Sequence, residues 1–151
     1  MLAGAPNVHE NKLGSMKTER VLTVNDYYDG PCLGVAELDG VPHFYEAEFD
    51  HSADEYGDTF FLSPVPADLL ALVLEDWAIW LRWERAFRAG EVDQDTHPAL
   101  PADRERHAEL KRLVGNRLRV DPDGCIKRKA RFNHPAGSPR WEGFVVEWSP
   151  A

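Results

Sequence analysis

Cysteine is scarce in this chain: Cys32 and Cys125 are the only two, far apart and outside any CxxC pair. Neither a disulfide framework nor a cysteine-based zinc site can therefore underlie its stability. Long apolar runs are missing as well. The most hydrophobic stretch is broken by Glu75 and Asp76 after six residues, far short of the roughly 20 that cross a bilayer. No GxSxG, P-loop, Rossmann glycine pattern or HExxH occurs, so the short motifs of hydrolase, nucleotide and metalloprotease chemistry are absent. Positive charge is in short supply too. With 17 basic against 26 acidic residues the formal charge is −9, which opposes a general affinity for nucleic acid or an anionic membrane.

The 151 residues, 43% of them hydrophobic and 11% aromatic, suit one packed domain. Residues 1–15 have no hydrophobic period, and Gly14-Ser15 before Met16 reads as a vector-derived junction. That segment, including His9 and Glu10, is expected to be a disordered extension without function, leaving 16–151 as the domain. It lacks the charged start and apolar core of a secretory signal, so a cytoplasmic setting is expected. Charge is unevenly spread. From Lys17 to Ser63 there are 11 acids and 2 bases, from Pro101 onward 7 acids and 11 bases.

The dominant element is Pro66 to Gly90, which carries three of the five tryptophans. Leu69, Leu70, Val73, Leu74, Trp77, Trp80, Leu81 and Phe87 recur at three- and four-residue spacing and so gather on one helical face. Leu72, Ile79 and Trp83 fall on an adjoining flank. Gly90 supplies a left-handed stop. Ahead of this helix, 20–24, 34–38, 41–49 and 59–62 read as strands, and Asp39-Gly40 is a two-residue hairpin turn. After it, 103–118 reads as a more polar helix, and 125–133 and 141–148 as a closing strand pair. The expected fold is α+β, a mainly antiparallel β-sheet packed against the long tryptophan-rich helix and the second helix.

Chemistry has few places to sit. Asp76 at the border of the apolar stripe and Glu84 within it are carboxylates that must be paired or perturbed. Arg88, one turn beyond Glu84, supplies a partner for that residue. His43 falls on the inward face of its strand and, with Asp76 or Glu84, would form an acid–base pocket between sheet and helix. Asp50, His51, Asp54, Glu55 and Asp58 cluster in one loop but lack the glycine and bidentate glutamate of a calcium loop, so no metal or cofactor is assigned. Lys127, Lys129 and Arg131 share a strand face, with Arg128, Arg140, Phe132 and Trp141 nearby, a mixture that suits phosphate contact and base stacking. Pairing with Glu142, Glu147 or the acidic first hairpin would equally account for these cations.

The runs VNDYYDGPCLGVAELDGVPHFYEAEFD, LEDWAIWLRWERAFRAG and THPALPADRERH resemble a group of small bacterial proteins to which no activity is attached. The resemblance implies a single bacterial domain and transfers no site. The leading expectation is a binding domain that meets a protein partner or a second copy of itself through Trp83 on the helix flank. The alternative is a small-molecule-binding protein or enzyme using His43 with Asp76 or Glu84. Anion or RNA contact by the basic strand stands third.

Overall fold

The computed structural model describes residues 17–151; the expected extension, with His9 and Glu10, lies outside the described residues. Six strands follow the alternation of apolar and polar side chains: β1 (Thr18–Tyr27), β2 (Pro31–Leu38), β3 (Val41–Asp50), β4 (Glu55–Pro64), β5 (Ile126–Asn133) and β6 (Val145–Pro150). Between β4 and β5 come helix α1 (Ala67–Arg88), two short 3-10 turns (Gln94–Thr96 and Pro101–Asp103) and helix α2 (Arg104–Val114). Among the described residues no helix is long and apolar enough to cross a membrane.

The strands form a closed antiparallel barrel, each pairing with its neighbour in sequence. Closure comes from β1, which pairs with β2 from Val21 to Tyr27 and with β6 through Thr18, Glu19 and Arg20. The expectation of a sheet covered on one side by the long helix is thereby corrected. Alternation tells which side chains share a face but not what covers that face. Here the inner face is covered by the other strands' own inner faces, and the helices pack outside.

The barrel interior is aromatic. Tyr45, Phe60, Phe132 and Trp148 meet with ring centroids 5.4–6.1 Å apart, joined by Ala36, Leu62 and Val146. Each such pair contributes about 0.5–1.5 kcal/mol beyond the area it buries. Polar tips are satisfied inside. The Tyr45 hydroxyl donates to the Thr23 carbonyl at 2.9 Å and the Trp148 indole N–H to the Glu37 carbonyl at 2.9 Å. Burial pushes the Tyr45 phenol well above its ordinary pKa.

Outside, Val35, Phe44 and Phe61 of the barrel are covered by Leu69 and Val73 of α1 and by Val120. Phe44 and Tyr45, adjacent in sequence, are therefore both buried on opposite faces. Further along α1, Ile79 and Leu72 pack on Leu110 of α2 and on Ala99. The Asp39-Gly40 turn forms as expected, with φ of 53° and 78°, the paired positive values of a type I′ hairpin. Gly90 takes φ 76°, and Glu91 N–H reaches the Ala86 carbonyl while Gly90 N–H reaches that of Phe87. That pattern of bonds is a Schellman stop.

Candidate ligand cleft

Strand β1 is irregular, and its irregularity builds the site. Its register to β2 slips between Val21 and Thr23 and again between Val24 and Asp26. Each slip inserts an unpaired residue, and bulges of this kind bend a strand and re-aim its side chains. Thr23 repairs the first slip, its hydroxyl accepting the Val35 N–H at 2.9 Å and donating to Asn25 Oδ1 at 2.6 Å. The second slip leaves Asn25, Asp26 and Tyr27 in the wall of a cavity of about 390 Å³ between β1, α1, α2 and the 134–144 connection.

The opposite wall comes from α1. Trp77 and Trp80, one helical turn apart, stack at 5.1 Å with their planes 22° apart. Trp80 meets Trp141 at 5.6 Å and 75°, and Trp141 meets Tyr27 at 5.3 Å and 89°. His97 and Pro98 close one side, and Asp76 with His107 another. His107 Nδ1 donates to Asp76 Oδ1 at 2.6 Å. Its Nε2 takes no hydrogen bond among the described residues. An imidazole oriented through one nitrogen by a carboxylate keeps the other for a ligand or a proton.

The dyad is held by the crossing of α1 and α2. Glu75 receives Arg106 in two bonds of 2.7 Å, and Asp103 receives Arg82 at 2.9 and 3.0 Å. Arg106 holds the Glu75 carboxyl below the usual carboxylate range, and Arg82 does the same for Asp103. Adjacent acids Glu75-Asp76 of α1 thus face adjacent bases Arg106-His107 of α2. That complementarity was the available sequence signal for the pair.

The residues singled out from sequence are dispersed. His43 donates through Nδ1 to the Val41 carbonyl at 2.7 Å, and Asp76 is engaged by His107 instead. Glu84 is buried and bonded to Arg88 at 2.9 Å. Among the described residues no cavity unites His43 with either carboxylate, because β3 packs on the first turns of α1, where Phe44 meets Leu69 and Val73, while Asp76 faces His107 of α2 and Glu84 lies near the helix's C-terminal end. Trp83, expected on an open flank, is 3% exposed. Its indole N–H donates to Thr96 Oγ1 at 2.7 Å, and its ring lies between Phe87 and His97. The 93–99 connection covers the flank that helical periodicity alone leaves open.

The basic strand face is largely paired. Lys127 reaches Glu48 at 2.9 Å and lies over the Phe61 ring, and Arg131 reaches Glu147 at 3.3 Å. Lys129 is exposed, and Phe132 points into the barrel. Trp141, grouped with that strand in the sequence reading, belongs to the cleft. In the acidic loop, Asp50 accepts from the Ser52 hydroxyl and N–H and from Ala53 N–H. Those bonds, the Ser52 hydroxyl first, lower its carboxyl pKa. Among the described residues no group of three or more His, Cys, Asp or Glu is placed to hold a metal ion.

Larger concavities exist, but their chemistry is less convergent. One of about 710 Å³ lies outside the barrel over Phe44, Phe61 and Leu69, where Arg117 and Arg119 are offset by Glu46 and Asp121. Another, about 650 Å³, opens at the barrel end beside Tyr28, Tyr56 and Phe132. Among these cavities of the described residues, the 390 Å³ cleft joins an oriented histidine–carboxylate pair to several converging aromatic rings.

Searches against protein-family models, curated proteins and solved structures returned no match. No family membership is drawn, and the functional reading rests on the cleft itself.

Proposed function

We propose that this protein binds a small organic molecule in the cleft between β1 and the helical pair, with Asp76 and His107 as its polar anchor. The observation that carries the reading is the 2.6 Å Asp76–His107 bond set in the wall of a 390 Å³ cavity that three tryptophans also line. Aromatic walls with a few oriented polar groups are the usual composition of a ligand site. Among the described residues the walls contain no serine, threonine, cysteine or lysine, so the groups there that could take part in chemistry are Asp26, Asp76, Tyr27, His97 and His107. Of these, His107, oriented by Asp76, is the group placed for proton transfer.

This reading takes the place of an interaction through Trp83, whose ring is covered by the protein's own 93–99 connection. A fragment screen read by the five indole N–H resonances tests it. The signals of Trp77, Trp80 and Trp141 should move with bound fragments. Trp83 and Trp148, whose N–H groups are engaged internally, serve as built-in controls. Movement of no cleft indole across a chemically broad set, neutral and charged, would reject the cleft as a ligand site.

A further inference from the structure

We infer that the cleft's ligand is a compact organic cation, an ammonium or alkylated ammonium group; the inference rests on the ligand-site reading above. Three independent features of the walls agree on it. The first is charge. Asp26 from β1 and Asp76 from α1 line the cavity, and no lysine or arginine does. The remaining titratable side chains in the walls are Tyr27, His97 and His107. An anionic ligand would meet two carboxylates with no fixed cation to offset them, whereas a cation is favoured by both.

The second is the arrangement of the rings. Aromatic pairs take offset-stacked or edge-to-face arrangements, and the one near-parallel pair in the walls, Trp77 and Trp80, is already stacked on itself. Here Trp80 and Trp141 stand 75° apart and Trp141 and Tyr27 89° apart, so ring planes in differing orientations border one small volume. Nearly perpendicular aromatic planes suit a rounded positive charge, which can approach more than one π system at once. The third is a cation already present on one of these rings. The Arg140 guanidinium lies over Trp141, 5.7 Å from its centroid. Arg140 is exposed and outside the cavity walls, so it shows that this ring receives a cation without filling the cleft.

Calorimetric titration of the full chain with choline and with its uncharged isostere 3,3-dimethylbutan-1-ol separates charge from shape. Choline should bind about tenfold or more tightly than the isostere. Trp141→Leu should abolish that preference, and Asp76→Asn should reduce it. Arg140→Ala, which removes a nearby positive charge from the surface, should leave choline binding unchanged or tighter. Equal binding of the two probes, lost in Trp141→Leu, would overturn the cation inference while leaving the cleft as a ligand site. Failure of choline to bind at about 10 mM, a level that still detects very weak complexes, would also overturn it. In that case the indole-detected screen decides separately whether the cleft binds anything else. Should Trp141→Leu fail to fold, Asp76→Asn still carries the test: a preference for choline undiminished in that variant would overturn the inference.

Discussion

Gly34 shows how little freedom a closed barrel leaves to a single residue. A Cβ built there would lie 2.3 Å from the Thr23 carbonyl oxygen and 2.6 Å from the Tyr45 hydroxyl. The first of these is backbone and cannot swing aside. Gly34→Ala is therefore expected to cost about 3 kcal/mol, the upper end of overpacking penalties, measured as a reduced urea midpoint. Glu19 makes the complementary point. It is buried, and its two carboxylate oxygens accept the N–H groups of Asp39 and Gly40 at 2.8 and 2.9 Å. The Asp39-Gly40 turn was legible from its residues alone. That a carboxylate twenty residues earlier would hold it was not, since Glu19 sits in an ordinary alternating strand and only the β1–β2 pairing, with Val21 opposite Ala36, brings it to that turn. The Glu84–Arg88 pair was legible for the opposite reason: both partners lie on one helix, where spacing fixes proximity.

At the scale of elements, α1 and α2 are joined by polar ties as well as by the Ile79–Leu110 contact. The lowered carboxyl pKa values of Glu75 and Asp103 give these ties a pH dependence. A carboxylate lowered by folding stabilises the fold above its ordinary range, near pH 4, and that contribution is lost as pH falls through the folded-state value. The melting temperature should accordingly fall between about pH 5 and pH 2. Arg106→Ala should start from a lower value at neutral pH and show a shallower fall, because Glu75 then titrates near its unfolded value. Parallel curves for the two proteins would assign the acid sensitivity to other carboxylates. Elements were the scale most open to sequence reading. The hydrophobic period located both helices; α1 ends at Arg88, two residues before the glycine expected to stop it, and α2, expected over 103–118, ends at Val114. The bulges of β1 were invisible, because an inserted residue shows only against the partner strand, and with them the placement of Asn25, Asp26 and Tyr27 in the cleft.

Over the whole molecule, closure of the barrel is the organising event. The last strand supplies Trp148, which packs on Phe60 and Phe132 and bonds to β2 through the Glu37 carbonyl. Trp148→Ala removes ring contacts from the interior and the side-chain tie that reaches across the barrel. Denaturant unfolding should show a loss of about 3–5 kcal/mol, the range for truncating a buried aromatic. A cost below about 1 kcal/mol would mean that the surrounding rings collapse into the space. The sequence by itself determined the helical stripe, the hairpin turn, the alternation of the strands and the excess of acid, because each depends on residues close together along the chain. Only the tertiary structure decided that the sheet closes on itself, that Trp83 is covered while Trp80 lines a cavity, and that Asp76 meets His107 instead of His43. Those outcomes depend on which distant segments share a surface, and periodicity reports that a face is buried without saying what buries it.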